Sequence, residues 1–226
     1  DQPVAERTPH GEGAEVLLDL MERARPVLAA SKVNQARAAR GDLAATDIWP
    51  FWPGVAPAGL RPFSEMRGIT AAMTSGVDLL NGLAVLFGID RLDIAGVTDG
   101  ADNDYRAQIE GALDALEDHD LVIVHVEAPD EEGHGGNIEG KVAAIEAIDR
   151  EIISVLRECV GRIRILAMPD HPTPIELKTH VGEPVPFILA GPGIAPGTAR
   201  AYTELQAAAP GLVVDPGRGV MDLLLG

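Results

Sequence analysis

The chain has 226 residues, enough to bury one good hydrophobic core, or one core and a small second unit. It is 46% apolar and carries 35 acidic against 18 basic residues, a net charge of −17. That composition excludes a disordered chain and argues against nucleic acid and anionic membrane as partners; an anionic substrate would need local cations or metal to overcome the field. The single cysteine, Cys159, rules out an intrachain disulfide and fits a reducing, cytoplasmic compartment. On its predicted helix it reads as a structural thiol. No apolar run approaches the ~20 residues of a membrane span, and no signal-peptide pattern opens the sequence.

Residues 1–10 have no periodic pattern and are expected to be poorly ordered unless docked. From Gly13 to Ala30, Val16, Leu17, Leu20, Met21, Val27 and Leu28 form a helical stripe, which Pro26 is expected to kink or divide. Val33 to Arg40 continues the helical bias, and Gly41 closes it. Asn34 and Arg37 are three apart and share a face. The pair reads either as a solvated helix surface or as a clamp for phosphate or carboxylate, a geometry that suits Arg. Asp47 to Phe51 predicts a short aromatic strand. The proline and glycine density from Trp52 to Pro62 marks a linker, dividing a small unit, residues 1–59, from a main unit, residues 60–226.

Beyond Phe63 the rhythm is strand and helix in alternation. Strands are predicted at Ile69 to Thr74, Leu92 to Val97, Leu121 to Val126, Ile163 to Met168 and Pro186 to Ala190. Helices are predicted at Val77 to Phe87, Asp104 to Glu117, Glu139 to Val160 and Val220 to Leu225. The long helix from Glu139 is apolar at Val142, Ile145, Ile148, Ile152, Val155, Leu156 and Val160. Such alternation implies an α/β fold, a mostly parallel sheet with helices on both faces.

Two of these strands end in metal-ligand side chains. Leu121 to Val126 runs into a loop carrying Asp130 and His134, and Ile163 to Met168 delivers Asp170 and His171. His180 stands shortly before the last strand. Sites in open α/β sheets form beyond the carboxyl ends of the strands, so these five residues read as one metal site. Asp130 and His134, four apart in a turn or helix start, can converge on one ion. Asp170 and His171 are neighbours in a loop and point in different directions, so they serve different ions or span a bridged pair. Carboxylate with imidazole suits Zn²⁺ or Mn²⁺ rather than Ca²⁺ alone. Two such ions can clamp both the attacking and leaving oxygens of a phosphoryl transfer. Taken singly, each pair is commonplace, since a lone Asp-His is usually a capped loop with a structural histidine; assembly at strand ends is what raises the reading. Of the other histidines, His125 lies in a strand pattern and reads as a satisfied core residue. His119, between Asp118 and Asp120, reads as solvated, and His10 falls in the unpatterned lead.

On the segments VHVEAPDEEGHGG (residues 124–136), KVAAIEAID (141–149), ILAMPDHPTP (165–174) and THVGEPVPFILAGPG (179–193), the sequence resembles the cofactor-independent phosphoglycerate mutases. The likeness is to their archaeal-type branch, within the alkaline phosphatase superfamily. GAEVLLDLM (13–21), Val33 to Arg37, the DIW stretch (47–49) and Val77 to Gly82 resemble it too, so the likeness covers essentially the whole chain. It implies an alkaline-phosphatase-like core for residues 60–226 and a remnant of an inserted cap for residues 1–59. It also implies two divalent ions, Mn²⁺ or Zn²⁺ with Mg²⁺ as a third choice, and a phosphorylated small-molecule substrate. Carried over by position, Asp130, His134 and His180 would hold one ion and Asp170 with His171 the other. In that family a serine takes the phosphoryl group from 3-phosphoglycerate, and the bound glycerate is rephosphorylated at its 2-hydroxyl.

The resemblance has two departures. The family opens with a strand bearing an Asp for the second ion, then a segment with the nucleophilic serine; neither has a counterpart here. Thr46, Ser64, Thr74 and Ser75 do not sit in that context. The chain is therefore expected to be the C-terminal portion of a longer protein, inactive alone, with apolar surface that leaves it marginally stable or pairs it with a second copy. At Glu65-Met66-Arg67-Gly68 the family tends to E-K-Y-G, with the lysine near phosphate. Met66 cannot supply that charge, which leaves Arg67 as the substrate-binding candidate there, alongside Asn34 and Arg37. Two other readings stay open. One is another phosphomutase, phosphatase or phosphonopyruvate-decarboxylase-related enzyme of the superfamily. The other is a non-catalytic metal-binding module.

Overall fold

The computed structural model describes residues 4–50 and 54–226. These divide into two units, one within Asp1–Ala58 and one spanning Gly59–Gly226. In the larger unit the apolar stretch after Gly68 becomes β1 (Ala71–Thr74). It is flanked in parallel by β2 (Asp90–Arg91) and β3 (Leu121–Val124), in the order β2-β1-β3. Ala71 lies opposite Leu121, and Ala72 opposite Asp90. The connections are helical, α4 (Asp78–Leu86) and α5 (Tyr105–Ala115), as parallel neighbours require. Asp120 fixes the entry to this sheet: its carboxylate accepts both the backbone N–H and the hydroxyl of Thr70 at 2.9 Å.

The predicted α/β class holds, with one change of hand. β4 (Ile165–Ala167) and β5 (Ile188–Ala190) form a separate antiparallel pair, Leu166 opposite Leu189. No crossover helix lies between them; the intervening chain is a loop, and an antiparallel return needs no more than that. The strands are also shorter than the apolar runs suggest. The run from Leu92 to Val97 contributes no strand residue. Pairing on that edge stops where the Leu92 N–H meets the Met73 carbonyl, and the chain then turns toward α5.

After β3 come α6 (Ala128–Gly135), where a loop was expected, and α7 (Ile138–Ile148), a π-helical turn (Asp149–Ile153) and α8 (Ser154–Cys159). Asn137 caps α7 through the Gly140 N–H. The predicted long helix is thus continuous but wound wider in its middle, where the Ser154 hydroxyl bonds back to the Arg150 carbonyl. Burial along it is uneven: Ala144 is buried in its first half, and Ile152 and Cys159 in its second. Ile152 packs with Tyr105, Ile109 and Ala112 of α5, joined by Val122, Val124, Ile148, Val155 and Leu156. Val142 and Ile145 of the same predicted stripe are 49% and 51% exposed. The unit ends in α9 (Glu204–Ala208) and α10 (Val220–Leu225), the latter as predicted. The short α3 (Phe63–Arg67) precedes β1 and closes at Gly68, which takes the left-handed conformation.

In the smaller unit, α1 (Ala14–Ala30) runs through Pro26 unbroken. A proline removes one amide donor, and here that loss does not divide the helix. The break comes five residues later at Ser31, whose extended backbone starts α2 (Lys32–Ala39). Residues 47–50 form no strand, correcting the expected aromatic strand, and its last residue, Phe51, lies outside the described residues, as do the first two of the expected linker. Of the unpatterned lead, Val4–Arg7 forms a 3₁₀ turn, and residues 1–3 lie outside the described residues.

Ile109 is 1% exposed at the centre of the main core. Ile109→Ala is expected to lower the unfolding free energy by about 2–5 kcal/mol, read from urea denaturation. Ala substitution of exposed Val142 should stay within about 0.5 kcal/mol. Equal losses at the two positions would show that the core lies elsewhere.

Candidate metal centre

The chain leaves β3 at Val124 and turns into α6 within four residues, a turn that Pro129 favours at the helix start. Asp130 and His134 are therefore i and i+4 on one helix, and their side chains share a face. His134 Nε2 lies 3.2 Å from Asp130 Oδ2. His180, on the loop ahead of β5, brings its Nε2 to 3.0 Å from that of His134 and 3.4 Å from Asp130 Oδ1. Three ligand atoms on a tetrahedron with bonds of ~2.0–2.2 Å would be about 3.3–3.6 Å apart, close to the observed spacing.

Proton bookkeeping leaves His134 Nε2 open to a cation. His134 Nδ1 lies 3.0 Å from the Lys178 carbonyl, which can only accept, so the ring N–H is there. In the neutral imidazole Nε2 is then a lone pair, and it faces a carboxylate and a second imidazole nitrogen. Such a donor set suits Zn²⁺ or Mn²⁺. Lys178, the one non-glycine with positive φ (53°) among the described residues, turns its carbonyl to His134. A left-handed conformation of this kind costs about 1–2 kcal/mol.

His171 stacks on His180 with ring centroids 3.7 Å apart. Its Nδ1 is 3.9 Å from Asp130 Oδ1, so it borders the triad rather than joining it. Asp170 turns outward, 72% exposed; one carboxylate oxygen accepts from the His171 N–H at 3.0 Å, and the other lies 3.5 Å from His171 Nε2. Burial pushes the Asp130 carboxyl up, but the Thr173 hydroxyl and the imidazoles of His134, His180 and His171 outweigh it and hold the group below its ordinary range.

The remaining candidates occupy other settings. Asn34 spends its amide locally: it donates to the carbonyls of Leu28 (2.9 Å) and Ala45 (2.8 Å) and accepts from the Ala45 N–H. Arg37 donates to the Leu43 carbonyl at 2.7 Å. Arg67 pairs with Asp222 of α10.

Other groups around the site take partners that the sequence does not announce. His125 follows β3 rather than lying in it, and both ring nitrogens are partnered, by Ser75 Oγ at 3.0 Å and Glu127 at 3.2 Å. Burial pushes the Glu127 carboxyl up, and neighbouring Asp130, Asp170 and Glu131 push the same way. Fully buried Gln108 of α5 donates to the His125 carbonyl at 2.9 Å and accepts from Asn103. It thereby pins the strand end from which the site departs. His119, expected to be solvated, instead bonds Asp90 at 3.0 Å and the Ala115 carbonyl at 2.9 Å. The Ser75–His125, Gln108–His125 and Asp90–His119 contacts join residues 17 to 50 positions apart, and no spacing announces them.

A family model described as the metalloenzyme superfamily matches residues 16–214. The 2,3-bisphosphoglycerate-independent phosphoglycerate mutase of Methanothrix thermoacetophila is 40% identical over 228 residues, covering 99% of this chain and 58% of its own length. A second enzyme so named, from Methanothermobacter thermautotrophicus, is 43% identical over 206 residues, covering 90% of this chain and 51% of its own. The chain thus spans somewhat over half the length of the curated relatives it matches. Among solved structures, a protein of Pyrococcus horikoshii superposes with a TM-score of 0.74 at 29% identity, covering 86% of this chain and 51% of that one. The cofactor-independent phosphoglycerate mutase of Thermoplasma acidophilum superposes with a TM-score of 0.59 at 27% identity, covering 94% and 51%.

Burial pushes the His125 imidazole below its ordinary 6.5, against the pull of Asp170 and Asp130. Below pH 6.5 the unfolded chain therefore takes up a proton that the folded chain refuses, and stability falls as pH drops toward the lowered folded value. His125→Gln should flatten that part of the pH profile of urea unfolding. An unchanged slope would contradict the assignment. The Asp130 contribution lies lower: it is present above pH 3.8 and lost as pH falls through the depressed value.

Proposed function

Because the chain belongs to the metalloenzyme superfamily, we propose that the protein carrying it is a metal-dependent phosphoglycerate mutase, interconverting 3- and 2-phosphoglycerate through a phosphoserine. The observation that carries this reading is the convergence of Asp130, His134 and His180 in a chain aligned over nearly its whole length with mutases so named. Asp130, His134 and His180 hold one divalent ion in this reading, and Asp170 with His171 contributes to a second, Mn²⁺ or Zn²⁺ in each case with Mg²⁺ less suited to imidazole. Bound there, such ions neutralise charge on the phosphoryl oxygens as it is transferred.

The chain's own residues have distinct tasks. The Lys178 carbonyl orients His134, and α6 sets the Asp130–His134 spacing. Arg67 is the proposed contact for the anionic substrate and would have to exchange Asp222 for phosphate; Asn34 and Arg37, the smaller unit's candidates, would each have to give up carbonyl partners to bind an anion. The net charge of −17 makes such local cations and metal necessary for an anion to approach. Residues 1–59 as a cap remnant and 60–226 as the metal-binding core complete the proposal. So do a glycolytic role in the cytoplasm and self-association through exposed apolar side chains such as Leu79 and Val85. No helix among the described residues is long and apolar enough to cross a membrane.

The nucleophile is not assigned within this sequence. Ser75, the serine hydrogen-bonded to His125, also accepts from the Val77 N–H at 3.0 Å and is buried. The purified 226-residue chain with Mn²⁺ is therefore expected to leave 3-phosphoglycerate unchanged in an enolase-coupled assay, while the complete gene product converts it. Turnover by the chain alone would mean that one of its own hydroxyls is the nucleophile. Hydrolysis of a generic phosphate ester by the complete product, without mutase activity, would point to a phosphatase. Neither activity would point to a non-catalytic metal-binding module.

Mn²⁺ at a hundred times its dissociation constant should stabilise the chain by about 2.7 kcal/mol. His180→Ala should abolish that shift in thermal unfolding. An equal shift in the variant would place the ion elsewhere.

A further inference from the structure

Thr173 is 5% exposed, and its hydroxyl faces both groups of candidate ligands. The hydroxyl donates to Asp130 Oδ1 and lies 3.3 Å from His171 Nδ1. A hydroxyl has one proton and two lone pairs. With the proton given to the Asp130 carboxylate, the contact with His171 requires Nδ1–H to donate to Thr173 Oγ1. The neutral His171 ring then keeps its lone pair on Nε2, the atom 3.5 Å from Asp170 Oδ2. One buried hydroxyl thus sets the orientation of Asp130 and the tautomer of His171.

The surroundings hold this hydroxyl firmly. The Thr173 carbonyl accepts from Lys141 Nζ of α7 at 2.7 Å. Gly133 of α6 lies so close that a Cβ there would meet the Thr173 carbonyl oxygen at 2.9 Å and its methyl at 3.0 Å. The Val181 N–H bonds the Pro172 carbonyl at 3.1 Å, tying the residue after His180 to the residue before Thr173. Helices α6 and α7 therefore clamp the loop at the point where its hydroxyl enters the site.

We infer that Thr173 is the positioning residue that couples the Asp130–His134–His180 triad to the Asp170–His171 pair, orienting a ligand of each so that both present lone pairs to cations. The inference rests on reading these side chains as cation ligands. It does not depend on which phosphoryl transfer they serve. Groups that orient metal ligands typically contribute 10–100-fold to affinity.

The test uses the intact 226-residue chain and Mn²⁺. In calorimetric titrations Thr173→Val, which keeps the shape and removes the hydroxyl, should bind Mn²⁺ about 10–100-fold more weakly than wild type. Thr173→Ser, which restores the hydroxyl, should return close to wild type. Long-range ¹H–¹⁵N correlation spectra of the metal-free wild type, at a pH where imidazoles are neutral, should show His171 as the Nδ1–H tautomer. Thr173→Val should move it toward Nε2–H. Wild-type affinity in Thr173→Val, or equal losses in the Val and Ser variants, would overturn the inference while leaving the metal centre standing. An Nε2–H tautomer of His171 in wild type would overturn it even if Thr173→Val failed to fold. A wild-type chain that bound no Mn²⁺ would overturn the ligand reading and this inference with it. Mutase activity enters none of these readouts, so failure of the mutase proposal alone would leave them unchanged.

Discussion

One carboxylate, Asp130, gathers the second unit's chemistry. Its two oxygens meet His134 and His180, with His171 at the border and the Thr173 hydroxyl behind. A carboxylate taken partly out of water is costly unless it is paired or hydrogen-bonded. Here it is compensated by a buried hydroxyl and a ring of imidazoles. The same arrangement leaves His134 Nε2 as a lone pair, which takes either a proton from His180 Nε2 or a cation. The loop from Asp170 to His180 is shaped to maintain this balance, down to the left-handed Lys178 whose carbonyl holds the His134 ring.

The fold places that carboxylate through a short chain of contacts. Apolar packing of Ile109, Ala112 and Ile152 with β3 sets the strand's height over α5. Gln108, one residue before Ile109 and fully buried, converts that packing into position by bonding the carbonyl of His125. Three residues later α6 begins. Packing energy therefore reaches the site through a polar residue with almost no freedom, and α6 and α7 then close on Thr173.

Much of this was legible in the sequence because it depends on local period and spacing. The apolar runs ending in Asp130 and in Asp170-His171 announced strand ends, and the i, i+4 spacing of Asp130 and His134 anticipated a shared face. His180 could be grouped with them because sites collect at one end of such sheets. What escaped was whatever depends on partners distant in sequence. The long helix from Glu139 reads as one amphipathic stripe, yet Val142 and Ile145 of that stripe are exposed while Ala144 between them is buried, because burial depends on what packs there, not on the stripe itself. β4 and β5 read like the other strands, and their antiparallel pairing depends on the connecting loop. Thr173, Lys178 and Gln108 carry no signal of their roles, since a hydroxyl, a backbone carbonyl and an amide become informative only when their partners are in place. His119 looked solvated between two acidic residues and is tied to Asp90, which lies 29 positions away.

The account thus turns on a cation at the meeting point of three side chains, two from α6 and one from the loop ahead of β5. Crystals of the chain soaked in Zn²⁺ or Mn²⁺, measured at the metal's absorption edge, test this most directly. The account predicts an anomalous peak about 2.0–2.2 Å from a carboxylate oxygen of Asp130 and from Nε2 of both His134 and His180. A peak bound to other residues, or no peak with His180 turned out of the triad, would contradict it.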